Sequence, residues 1–93
     1  MRREEKRLQN EEKIKNATEI LNRLIVPHSA PRPVLRELHE VIEGLADTRI
    51  NPGVRAANAV SSLEGIGRHA KGSSSIRVGI WSAMSILESV RDL

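Results

Sequence analysis

The run Gly67-Arg68-His69-Ala70-Lys71-Gly72-Ser73 has two glycines with four residues between them and a basic lining, the outline of a phosphate loop. A nucleotide-binding loop puts Lys and then Ser or Thr directly after the second glycine, and it follows a strand. Here Ser73 takes the lysine's place and a helical pattern comes before, so nucleotide binding is not expected. What remains is a candidate anion or phosphate contact: Arg68, Lys71, Ser73 and Ser74 beside the free N–H groups that open the next helix. The histidines His28, His39 and His69 are neither four residues apart nor accompanied by cysteine, so no metal site is expected. His39 borders an apolar arc and is expected to pair with Glu43. No Gly-x-Ser-x-Gly elbow presents a serine, and Glu37, Glu40 and Glu43 form the solvated side of a helix. The residues therefore predict no catalytic group, no cofactor, no small-molecule substrate and no enzymatic activity. Trp81, the one aromatic side chain, is the residue to single out. Together with Arg77, Val78 and Met84 it forms a candidate protein interface, and Arg77, one turn earlier, can lie over its ring. The alternative is that Trp81 folds over the end of the molecule and completes the core.

Four elements must position these residues. The first is expected from about Asn10, with Ile14, Ala17, Ile20, Leu21, Leu24 and Ile25 as its stripe, Glu11/Lys15 and Glu19/Arg23 as ion pairs, and Val26-Pro27 as its stop. Residues 1–9 read as a charged flexible tail or helix extension, and residues 10–93 as one domain. The second helix, about 32–45, carries Val34, Leu35, Leu38, Val41, Ile42 and Leu45 on one arc. In the third, opened by Asn51-Pro52, the residues Ala56, Ala59, Val60, Leu63 and Ile66 share a broad face, flanked by Ala57. Arg55, Asn58, Ser61 and Ser62 are expected on its polar side, and Gly67 is expected to end it in a left-handed turn. The fourth, about 75–91, carries Ile76, Ile80, Ala83, Met84, Leu87 and Val90, while Trp81 and Val78 fall off that stripe. No alternating apolar run suits a strand.

The pattern predicts an all-α fold: a four-helix up-down bundle with short loops and the small-residue third helix most enclosed. Leu35-Arg36, Val54-Arg55 and Ile76-Arg77 each open a helix in the same way, which leaves a HEAT-like pair of helical hairpins as the alternative. With 93 residues there is room for one domain, whose folding buries roughly 60–65% of the unfolded surface. The chain lacks cysteine, so disulfides and thiol chemistry are excluded, and no run approaches a membrane span; a cytoplasmic setting without membrane contact is expected. The net charge is +3 and the pI about 10.0, but the basic residues are scattered among acidic ones, unlike a phosphate-binding face.

Val54-Arg55-Ala56-Ala57-Asn58-Ala59-Val60-Ser61-Ser62-Leu63, Ser75-Ile76-Arg77 followed by Ile80-Trp81, and Leu87-Glu88 resemble the uncharacterised protein family 0147 (UPF0147) of small archaeal helical proteins. Pro31-Arg32 is a looser counterpart of that family's Pro-Arg helix start. The chain departs from the family in its third connection, where Arg68-His69-Ala70-Lys71-Gly72 replaces an acidic turn. The resemblance implies a compact four-helix fold and an archaeal cytoplasmic setting, and it supplies no activity. The function expected is a non-enzymatic protein-interaction module, self-associating through helix four or docking on a larger assembly. The alternative is a basic accessory protein that touches RNA or DNA phosphates.

Overall fold

Apolar residues three and four apart set the helices, and the width of each stripe sets how many neighbours a helix meets. The computed structural model describes residues 2–25, 30–69 and 74–91, the side chains of His69 and Ser74 aside. Helix α1 is Arg3–Ile25, α2 is Arg32–Leu45, α3 is Pro52–His69 and α4 is Ser74–Leu87. The fold is all-α, and no strand occurs among the described residues.

Helix α1 starts at Arg3, well before its apolar stripe. The residues from Arg3 are mostly strong helix formers, and Glu4 and Glu5 in the first turn suit the positive end of the helix dipole. Its buried residues are Asn10, Ile14, Ala17, Leu21 and Ile25. The helix runs to Ile25; the expected stop at Val26-Pro27, with His28 and Ser29, lies outside the described residues. Helix α2 has the bounds its pattern predicts. Pro33 stands in the first turn, where its missing N–H costs nothing, and Val34, Leu38, Val41 and Leu45 are buried.

Helix α3 continues through Gly67 to His69 instead of stopping at the glycine. Gly67 faces α4, where a Cβ would lie 3.9 Å from Ile80 Cγ2, so its place is a helix contact and not a left-handed cap. Arg55 departs further from expectation. Its side chain is only 3% exposed. It lies one turn before Ala59 on the core side of α3; its polarity, not its angle, suggested the opposite face. Helix α4 ends at Leu87, short of the expected 91. There the chain tightens, with Ser89 N–H donating to Ile86 O at 3.1 Å and Val90 N–H to Leu87 O at 3.0 Å. Val90 is nevertheless buried. Asn10 Nδ2 donates to Arg91 O at 2.7 Å and Lys13 Nζ to Ser89 O at 3.2 Å, tying this end to α1.

The most extensive helix contact is α1 with α4, followed by α2 with α3, and among the described residues α2 and α4 do not meet. That closed ring is a four-helix bundle; in a row of hairpins the first and last helices would lie apart. Helices α1 and α3 each touch the other three, so α3 shares the centre with α1 and is not alone in it. One core cluster results, with Leu21, Leu38, Leu45, Leu63, Ile76, Ile80 and Leu87 fully enclosed. Burying each such side chain is worth about 1.5–3 kcal/mol before ordering costs.

Candidate functional site

On α4, Ile76, Ile80, Ala83 and Leu87 face inward and are buried. Trp81, one residue past Ile80, is therefore swung about 100° round the helix, toward α3. It is 58% exposed, so it does not complete the core. The Arg77 guanidinium carbon lies 5.6 Å from its ring centroid. An exposed contact of this kind is worth about 0.5–1 kcal/mol, and it orients the indole.

A groove of about 490 Å³ between α3 and α4 is lined by Leu63, Glu64, Gly67, Arg68, Arg77, Trp81 and Met84. Three of the four candidate interface residues thus share one groove. Met84 is half-buried and packs on the core; Val78 lies outside the groove lining, on the outer side of α4, and is 58% exposed. Arg68, a candidate anion contact, lines the same groove. Of its intended companions, Lys71 and Ser73 lie outside the described residues, and Ser74 opens α4 with its side chain not described.

A second groove, of about 410 Å³, runs between α2 and α3, and the sequence reading missed it. Its lining includes Gly44, Ala59, Ser62 and Gly65, with Glu37 and Glu40 also present. A Cβ at Gly44 or Gly65 would meet nothing within 4 Å. Glycines inside two otherwise good helices were the available signal. Arg55 borders the groove and is fully engaged: its guanidinium donates to Leu45 O at 3.0 Å, Ile50 O at 2.8 Å and Glu11 Oε1 at 3.2 Å, with a second bond to Glu11 Oε2.

The local pairings differ from those expected. Glu11 serves Arg55 and not Lys15, because a buried guanidinium gains more from a counter-charge than a solvated lysine does. Among the described residues no ion pair joins Glu19 to Arg23, and exposed His39 makes no bond to Glu43. No three metal-capable side chains converge among the described residues. No described helix is long and apolar enough to cross a membrane.

The model of the uncharacterised protein family UPF0147 matches residues 1–90. A UPF0147 protein of Metallosphaera sedula is 40% identical over 83 residues, covering 89% of this chain and 93% of the relative. One from Saccharolobus solfataricus has the same identity and coverage. A third, from Desulfurococcus amylolyticus, is 36% identical over 85 residues, covering 91% of this chain and 93% of its own. No solved structure gives a significant match. Matched over nearly its whole length, by the family model and by archaeal relatives alike, this chain belongs to UPF0147.

Proposed function

We propose that this UPF0147 protein is a non-enzymatic protein-interaction module that works through the α4 surface, with Trp81 as its anchor. The supporting observation is the indole itself: 58% exposed, held under the Arg77 guanidinium, at the rim of a groove with an apolar floor. A tryptophan costs little rotamer entropy to fix and carries a large apolar area, so leaving it in water is a loss that a covering partner recovers. Truncating such an anchor costs about 2 kcal/mol or more, roughly thirtyfold in affinity. A cysteine-free chain suits work in the reducing cytoplasm.

The test is capture from the native cell with wild-type protein and with Trp81→Ala as bait, both verified as folded. Proteins retained by the wild type should be missing from the variant, and identical captures would defeat the reading. A second reading has one observation behind it, the meeting of Arg68 and Arg77 in the same groove. If the partner is a nucleic acid, binding collapses between low and moderate salt and weakens with Lys71→Glu; an interface anchored by Trp81 is nearly indifferent to both.

A further inference from the structure

We infer that the partner covering Trp81 is a second copy of this chain, in a parallel twofold dimer where each Trp81 enters the other copy's α2–α3 groove. This rests on the reading of Trp81 as an interface anchor and adds its occupant and its seat. The two grooves flank a single helix, α3. When two copies face each other across a twofold axis parallel to their helices, left and right exchange while height is kept. The α4 side of each copy then faces the α2–α3 side of the other, twice over.

The heights agree. Gly65 of the receiving groove lies between Glu64 and Gly67 of the Trp81 groove, within about 3 Å of each along the helix axis. Charge agrees as well. Arg68 and Arg77, with Glu64 beside them and a net positive sign, stand on the Trp81 side, and Glu37 and Glu40 stand on the receiving side, where Arg55 is already paired to Glu11. The Arg55 bond to Leu45 O fixes the end of α2 beside the start of α3. Glu37 is about 12 Å back along α2 from that bond and Gly65 about 15 Å forward along α3, so Glu37 lies within about 3 Å of the level of Gly65, with Glu40 about 5 Å further off on the same side.

Size agrees too. The receiving groove, about 410 Å³ with no Cβ on Gly65, admits an indole. A molecule 43 Å long and 21 Å wide has room on one side for the roughly 800 Å² that each partner of a stable dimer covers.

The experiment uses purified full-length protein from low micromolar to several hundred micromolar. Sedimentation equilibrium and tryptophan emission are read on the same samples; Trp81 is the sole tryptophan, so the emission reports it alone. Wild type should dimerise, with emission shifting to the blue as it does. Trp81→Ala, Gly65→Leu and the double variant Glu37→Arg/Glu40→Arg should each weaken the dimer at least tenfold while circular dichroism stays unchanged. A Cβ at Gly65 meets nothing within 4 Å, and the unchanged circular dichroism separates an effect on the groove from one on the fold. Mixed together, Trp81→Ala and Gly65→Leu should form a heterodimer better than either forms a homodimer, since the mixture keeps one intact indole and one open groove. A wild type that stays monomeric with red-shifted emission overturns the dimer, while the capture experiment still decides the interaction reading. Dimerisation lost in Trp81→Ala but untouched in Gly65→Leu and in the glutamate variant leaves the anchor standing and overturns its seat. Dimerisation indifferent to Trp81→Ala overturns both.

Discussion

Arg55 joins three parts of the molecule through one guanidinium: Leu45 O at the end of α2, Ile50 O in the turn, and the Glu11 carboxylate on α1. At 3% exposure the group has exchanged water for those partners. Removing it strands two carbonyls more than it loses an ion pair, and an unmet buried carbonyl costs about 1–3 kcal/mol. Arg55→Met, which keeps much of the volume, should therefore destabilise by about 2–3 kcal/mol, read as a lower urea midpoint. Glu11 is 41% exposed, so Glu11→Gln should cost under about 1 kcal/mol. Equal losses in the two variants would mean that the charge pair, not the carbonyls, is what matters. Asp47 shows the surface counterpart. The Arg49 guanidinium donates to Oδ1 at 2.9 Å and to Oδ2 at 3.0 Å, and the Arg49 backbone N–H donates to Oδ1 at 3.1 Å. These bonds, the side-chain ones first, hold the Asp47 carboxyl below its ordinary value of 3.8. A lowered folded value means the contact stabilises the fold above pH 3.8 and is lost as pH falls through the lowered value. An NMR titration of Asp47 should show a midpoint that Arg49→Ala raises toward 3.8, and coincident curves would show the contact absent in solution.

At the scale of elements, glycines separate close packing from open space. A Cβ at Gly79 would come within 2.5 Å of Leu24 Cδ2 and 3.0 Å of Leu24 Cγ, so Gly79 lets α4 approach α1. At Gly44 the same atom meets nothing. Both sit inside helices, where alanine is favoured over glycine by about 0.8–1 kcal/mol. Gly44→Ala should realise that gain. Gly79→Ala should lose more than it gains, because displacing Leu24 costs about 1–3 kcal/mol, and Leu24→Ala in the same chain should remove the difference between Gly and Ala at 79. Thermal unfolding of the five proteins tests this; Gly79→Ala as stable as Gly44→Ala would show that Leu24 moves aside freely. The same distinction explains what the sequence made legible. Helix α2 has one apolar face and one neighbour-facing job, so its bounds and buried residues follow from period alone. Trp81 was also legible, since an off-stripe angle belongs to one helix. The α2–α3 groove was not, because it exists only where the glycines of two helices meet. Arg55 was hidden differently: its polarity points to the solvated face although it stands one turn before Ala59, and a carbonyl trap built from α2 and the turn has no local signature.

At the scale of the whole molecule, the contact between the first and last helices closes the ring, and the chain beyond the last turn of α4 adds to that closure. Val90 is 3% exposed although it follows the helix end, and the carbonyls of Ser89 and Arg91 receive Lys13 and Asn10 from α1. Asn10 is itself buried, and among the described residues its Oδ1 has no partner and its side chain is compensated by the bond from Nδ2 to Arg91 O. Cutting the chain after Leu87 would remove the Val90 side chain, worth about 1.5–3 kcal/mol, and leave a buried amide with nothing to donate to, worth about 1–3 kcal/mol more. A bundle of this size has only about 5–14 kcal/mol in total. The shortened protein should thus be marginal at room temperature, with its urea transition moved far toward zero denaturant. Asn10→Leu in the shortened chain should recover part of the loss, because it replaces the stranded amide with an apolar group of similar volume. A shortened chain as stable as the full one would mean that α1 and α4 hold each other through their helical parts alone, and the terminal clamp would then be a consequence of closure and not a cause.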